Sequence, residues 1–363
     1  MLINTESTES GSPAHSRPAQ RRAARTQSAA QRLPMKQPLL SAGQGFSVQS
    51  LQGRFLSQDF YDEKRKVFRE YKPESWLDTL KFQITTFLAV PLCALVVFTA
   101  VLSMVAKVPA LAPAFALSPQ IHTTLGAALA FIMVFRTNTS YSRWWEARLQ
   151  WGVVNNTTRS LVSRAATMVK NEASYTQLTT ELVAFAVLLK NHLRFERTSP
   201  AELGNMLPYA LMATLSESVN PPLAAIEALA VTVRAGIKTE LPADALVANA
   251  SYLQLSNALD ALANAVGACE RVRDTPMPFG YVSSLRGFLL LWLFTMPFTI
   301  IGPYGIAAIP GVLLVGFLFL NLERMAMEIE QPFGDDADDL PLEQYCLGIE
   351  TVCLDFLKRS PYK

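Results

Sequence analysis

Histidine and cysteine are scarce in this chain, three and four among 363 residues, and their scarcity removes whole classes of chemistry. His15, His122 and His192 lie far apart, and no HExxH, phosphate loop or nucleophile motif accompanies them, so histidine-centred catalysis and zinc ligation find no support. Cys93, Cys269, Cys346 and Cys353 form no CxxC pair and no metal-ligand spacing, which excludes a disulfide framework. An excess of charge of one sign is missing too. The 32 basic and 30 acidic residues leave +2, which gives no footprint for nucleic acid. Between residues 137 and 285 strand-like alternation is absent over any useful length, so that region is expected to be helical.

Apolar residues are abundant. Half of the chain is hydrophobic, 17% is charged and the mean hydropathy is positive, as in a membrane protein with a soluble part. Residues 82–106 hold 25 positions without a charge, enough for a spanning helix that tolerates Pro91. Residues 108–135 open with a proline-rich linker and become helical near Gln120, giving a short second span. Residues 287–322 hold 36 uncharged positions, too many for one crossing. Pro297, Gly302-Pro303 and Gly305 break them into a helical hairpin, for four spans in all.

Basic residues orient the spans. Lys64, Arg65, Lys66, Arg69, Lys72 and Lys81 precede the first, Arg136, Arg143, Arg148, Arg159 and Arg164 follow the second, and the linker at 108–120 and the turn at 302–305 carry none. Both termini and the long middle region therefore face the cytosol or stroma. The expected divisions are a leader at 1–54, an N-terminal segment with two spans at 55–136, a helical soluble domain at 137–285, the hairpin at 286–322 and a tail at 323–363. The leader is rich in Arg and Ser, has Glu6 and Glu9 as its only acids, and lacks an apolar core. It reads as an organelle transit peptide, with a plain basic tail as the alternative. In the middle region, residues 181–190 and 248–272 carry apolar positions at helical spacing, mostly with polar flanks. Asn220-Pro221-Pro222 is a helix start, with Asn as cap and Pro in the first turn.

Two segments stand out. Residues 135–152, FRTNTSYSRWWEARLQWG, crowd Trp144, Trp145 and Trp151 among Arg143, Glu146 and Arg148 directly after an uncharged run. That mixture suits a protein-lined aqueous edge, and composition alone equally allows an interfacial aromatic belt. Residues 328–339 concentrate carboxylates around Pro332 and Gly334. Oxygen ligands at such a turn suit calcium or magnesium, and Asp335-Asp336-x-x-Asp339 matches the DDxxD spacing of magnesium-dependent prenyl-transferring enzymes. The plain reading of the cluster is a solvated acidic turn.

The first segment closely resembles the signature of the bestrophin family of pentameric anion channels, in particular its bacterial and plastid branch. The run EQPFGDDADDLPL at 330–342 resembles that family's segment after the last span, and the resemblance extends over residues 55–356. It implies an all-α membrane protein with four transmembrane helices per subunit, a helical soluble vestibule and a homopentamer around one central pore. Ala127, Phe131 and Phe135 would form stacked neck rings, with Ala127 where the family usually has a bulkier residue. Arg136 would flank the vestibule entrance and attract anions. Arg143, Trp144, Trp145 and Glu146 would brace subunits, and the aperture would fall at Pro222 or Leu223. The ligands of the animal calcium clasp fall on Glu328, Gln331, Asp336 and Asp339, with Glu328 and Gln331 replacing the usual Gln and Asn. The loop is thus a candidate calcium site, while conduction itself needs no cofactor. The implied function is passive transport of chloride and bicarbonate across a bilayer, a thylakoid membrane if the leader is a transit peptide. The alternatives are a prenyl-transferring enzyme using Asp335, Asp336 and Asp339, and a proton-coupled anion transporter, for which the membrane part shows no inverted repeat.

Overall fold

The computed structural model describes residues 86–110, 118–169, 171–199, 202–203, 207–237, 245–336 and 338–359. The leader, the basic cluster at 64–81 and the linker at 111–117 lie outside the described residues. Among the described residues every regular element is helical.

Helix α1, Thr86–Val105, is apolar throughout and keeps Pro91 inside it. Helix α2, Pro119–Met168, begins where Ser118 accepts a hydrogen bond from the Gln120 amide and Pro119 fills the first position, then runs for 50 residues. The expected boundary between membrane segment and soluble domain, at 136–137, falls inside this unbroken helix. At 1.5 Å per residue α2 is about 75 Å long, more than twice a hydrocarbon core.

Four helices follow α2 in the soluble region. Helix α3, Glu172–Leu193, is capped by Asn171, whose carboxamide oxygen accepts from the Ser174 amide at 2.7 Å. Short α4, Tyr209–Glu217, leads to α5, Pro221–Ile237, at the expected Asn-Pro-Pro start. Helix α6, Ala245–Asp274, packs on α2 and α5. The polar flanks expected around 181–190 are not there, because α3 is central and residues 182–189 are buried on every side. Even Glu181 is enclosed. It accepts hydrogen bonds from Gln177 (2.9 Å) and Thr232 (3.0 Å), and burial still raises its carboxyl above the ordinary range.

The hairpin consists of α7, Phe279–Thr295, a short α8, Pro297–Tyr304, a 3-10 turn, Gly305–Ala307, and α9, Ala308–Ile329. The chain breaks at Pro297 and Gly305 and stays helical through Gly302-Pro303, since Gly305 alone supplies the turn with φ +55° and ψ −128°, a conformation that side chains disfavour. Leu88–Val105 and the 51-residue stretch Phe279–Ile329 are long and apolar enough to cross a membrane. Only 17% of the first is buried, so it presents apolar surface outward, unlike the core helix of a soluble protein. The last helix, α10, Leu342–Lys358, packs on α2 and α3.

Two cores result, and α2 contributes to both. In the membrane region Leu88, Leu95, Leu129, Met133, Leu289 and Val312 cluster from α1, α2, α7 and α9. In the soluble region Trp151, Leu161, Leu182, Phe185, Leu229 and Cys346 are among those joining α2, α3, α5, α6 and α10. Where α1 meets α9, a side chain on Gly316 would place its Cβ 2.8 Å from a Leu95 methyl, so the helices approach through a small residue, as membrane helices commonly do. Gly316→Leu is expected to destabilise the protein by about 1–3 kcal/mol through overpacking, read as a lower thermal midpoint in detergent.

In α10, Glu350 is 5% exposed, one of its oxygens has no hydrogen-bond partner, and burial pushes its carboxyl up to about 7. The folded state therefore favours the protonated form. The stability that this supplies is complete below the ordinary carboxyl range and is lost as pH rises through about 7. Glu350→Gln is expected to raise the thermal midpoint at pH 8 and to leave it nearly unchanged at pH 4, by a ΔΔG of ~2–3 kcal/mol between the two conditions.

Candidate functional site

The membrane half of α2 has two unlike faces. Leu129, Met133, Arg136 and Ser140 are buried, whereas Ala127, Phe131 and Phe135 are exposed, the two rings by 64% and 52%. Phe131 and Phe135 meet edge to face with centroids 4.7 Å apart. Hydroxyl groups on the same stretch are turned back on the helix: Thr124 donates to the Gln120 carbonyl, Thr139 to Phe135 and Ser142 to Asn138, each at 3.0 Å or less. Such internal bonding lets polar residues stand on a surface without competing for water. At the outer end, His122 stacks on Trp292 at 4.6 Å, and the indole N–H donates to the His122 carbonyl at 3.0 Å.

Arg136 departs from expectation. It is fully buried and does not flank an opening within the protomer. One guanidinium nitrogen lies 2.8 Å from Glu330 and another 3.5 Å from Glu323, and a third bond of 2.9 Å goes to Ser140. Glu330 also accepts from the Met277 amide at 2.9 Å, and Glu323 pairs with Arg286 at 2.7 Å. The reason is electrostatic: an arginine on the inner face of α2 opposite the carboxylates of α9 is retained by them. Sequence reasoning missed Glu323, Glu330 and Arg286 as its partners. The available signal was that Arg286 and Glu323 bracket the uncharged run 287–322, with Glu330 two helical turns beyond Glu323 on the same face.

The expected bracing group divides. Arg143 donates to the backbone carbonyls of Val272 (2.6 Å), Thr275 (2.6 Å) and Glu330 (3.3 Å), and the Trp144 indole donates to the Asp338 carbonyl (3.0 Å). These two residues fasten α2 to its own protomer. Trp145 and Glu146 stay on the surface, the first stacked with Tyr141 at 6.4 Å and the second 3.5 Å from Arg271.

The acidic loop does not assemble the expected calcium set of Glu328, Gln331, Asp336 and Asp339. Glu328 is paired with Arg324 one turn earlier at 2.6 Å, and Gln331 is exposed. Asp339 turns inward, where one carboxylate oxygen accepts the Asp336 amide at 2.7 Å, and burial pushes its carboxyl up to about 7. Among the described residues no group of three or more His, Cys, Asp or Glu is arranged to hold a metal. The DDxxD reading meets the same obstacle, since Asp335 is bound to Arg194 at 3.0 Å while Asp339 is enclosed. Arg194 also pairs with Glu343 and donates to the Phe333 carbonyl, so the loop is a charged clasp joining α3 to α10.

At the start of α5, Pro222 is buried and Leu223 is 41% exposed, which leaves Leu223 as the residue of the expected aperture pair that reaches the surface. Asn220 caps the helix, its side-chain oxygen accepting the Leu223 amide at 3.3 Å, and its amide nitrogen donates to Glu270 at 2.7 Å.

The buried ion cluster generates a sharp expectation. Arg136→Gln is expected to destabilise the protein by about 3–5 kcal/mol, because it strands Glu330 without its cation and leaves Glu323 with Arg286 alone. Adding Glu330→Gln to it is expected to recover part of that loss, and thermal unfolding in detergent of the single and double variants measures both.

The family described as Bacterial/Fungal Bestrophin protein matches residues 68–355, which takes in α1 to α9 and most of α10. A voltage-dependent anion channel-forming protein of Synechocystis is 34% identical over 242 residues, covering 64% of this chain and 76% of its own length. The protein of the same description in Escherichia coli K12 is 29% identical over 241 residues, covering 65% and 75%. Among solved structures, a bacterial bestrophin homolog from Klebsiella pneumoniae is 28% identical with a TM-score of 0.66, over 74% of this chain and 97% of its own. With its motifs at 135–152 and 330–342 inside the matched span, the chain belongs to the bacterial and fungal bestrophin family and is an integral membrane protein.

Proposed function

We propose that this chain forms an anion channel in which five copies surround one axis with the exposed face of α2 innermost. The single observation that carries the reading is that Phe131 and Phe135 stand uncovered on a helix whose opposite face is locked by Arg136 and the membrane core. Such rings need another surface or an axis to face. Five copies of Ala127, Phe131 and Phe135 make three apolar rings at intervals of about 6 Å, a constriction that closes by dewetting and opens by a modest widening. Ala127 makes the outer ring the widest. The positive edges of the phenylalanine rings favour anions. The relatives named as voltage-dependent anion channel-forming proteins support the same assignment.

The proposed cargo is small monovalent anions, chloride and bicarbonate, moving passively. A unit charge gains about 2.3 kcal/mol per 100 mV, so no energy-coupling site is required. Beyond the neck, α2 continues past Trp145 and Glu146 toward the soluble core, and its exposed side together with Leu223 lines the route to an aperture. Trp145 and Glu146 supply contacts to the neighbouring subunit. Placement in a thylakoid or other organelle membrane rests on the composition of the leader at 1–54.

Reconstitution in a planar bilayer under a salt gradient tests the reading. The expected current reverses at the anion equilibrium potential, and Phe131→Ala raises it by widening the hydrophobic ring. A cation-selective reversal, or silence from a verified pentamer, overturns the assignment.

A further inference from the structure

A side-chain cluster behind the start of α5 has no part in the conduction route described so far. Three helices meet in it. The His192 Nε2 at the end of α3 lies 2.7 Å from a Glu270 oxygen on α6, and the same oxygen accepts the Asn220 amide nitrogen at 2.7 Å. A carboxylate only accepts, so Glu270 compels Asn220 to turn its nitrogen inward and leaves its oxygen to cap the Leu223 amide at 3.3 Å. The orientation of the cap, and with it the first turn of α5, follows from Glu270.

The charges that face His192 come from α6: Glu270, Arg273 and Asp274. Arg273 donates to the His192 carbonyl at 2.8 Å and grips Asp274 through two bonds of 2.6 and 2.8 Å, which lowers the Asp274 carboxyl, with the charge of His192 adding to the effect. The start of α5 brings no charged residue between 218 and 226. On α3 and just beyond it, Lys190 is tied to Glu202, and Arg194 to Asp335 and Glu343. With a neutral imidazole the cluster of Glu270, Arg273 and Asp274 carries one net negative charge, and protonation of His192 cancels it. The side chains of His192 and Glu270 are 15% and 24% exposed, so the pair is open to solvent.

We propose that His192 and Glu270 are positioning residues for the aperture and make anion passage at Leu223 depend on protonation, with the net negative cluster opposing anions and the neutralised one admitting them. This rests on the placement of Leu223 at the aperture. Repeated around five subunits, the change amounts to a ring of charge beside the narrowest soluble part of the route, where local potential governs ion concentration.

The test uses the full-length protein in planar bilayers under a chloride gradient at about pH 5.5 and about pH 8, the interval over which histidine side chains exchange protons. Chloride current is expected to rise on the order of threefold on acidification. His192→Gln keeps a donor without a titratable group, and is expected to abolish the rise and hold the current near the alkaline level. Glu270→Gln is expected to abolish it near the acid level. A rise that persists in both variants, or no rise in the unsubstituted protein, overturns the proposal. If one variant fails to assemble by size exclusion, the other decides alone. The aperture itself is tested separately with Leu223→Cys in a Cys93→Ser background, Cys93 being the one exposed native thiol among the described residues. Block by a charged thiol reagent upholds the aperture placement. Reaction without block refutes that placement while leaving channel activity intact, and so separates its failure from failure of the channel reading.

Discussion

The pairing of Arg136 with Glu330 and Glu323 is the contact on which the rest of the structure depends. It sits where the apolar part of α2 ends, is shielded from solvent, and joins α2 to α9 and, through Arg286 and the Met277 amide, to α7 and the segment before it. A guanidinium there has no cheap alternative, because an unpaired buried charge costs several kcal/mol. The pairing therefore sets the rotation of α2 about its own axis. At 100° per residue Phe135 lies about 100° from Arg136, Phe131 about 140° and Ala127 about 180°, so fixing one residue inward turns the other three outward. The exposed face of α2 is defined by a charge that does not touch it.

The second constraint is the length of α2. One 50-residue helix supplies Leu129 and Met133 to the membrane core and Trp151, Leu161 and Ala165 to the soluble core. With no break between them, the two regions cannot reorient independently. Arg143 and Trp144 reinforce the middle of the rod by bonding to carbonyls at the end of α6 and in the acidic loop. Tryptophans at a membrane boundary usually anchor to headgroups. Here one, Trp144, is spent on the protein interior, and its neighbour Trp145 remains on the surface.

The acidic loop looks in sequence like a place for a cation, and its carboxylates instead find cations and amides of the same chain. Arg194 pairs with Asp335 and Glu343, Arg324 with Glu328, and Asp339 satisfies the loop backbone. The loop thereby clasps α3 to α10.

Much of this architecture is written in the linear order of residue types. Uncharged runs of spanning length, the glycine that turns the hairpin, the Asn-Pro-Pro start of α5 and the RWWEAR segment are local properties, legible because helix formation, lipid solvation and capping act over a few consecutive residues. That Ala127, Phe131 and Phe135 share one exposed face was equally legible, through the four-residue repeat. What the sequence left undecided were pairings between residues far apart in the chain. Only the folded chain shows that Arg136 turns inward to Glu330, that Pro222 is buried while Leu223 is not, that α3 lacks a polar side, and that His192, Glu270 and Asn220 converge. Spacing along a helix determines which residues share a face, whereas the partner opposite that face is chosen by three-dimensional packing.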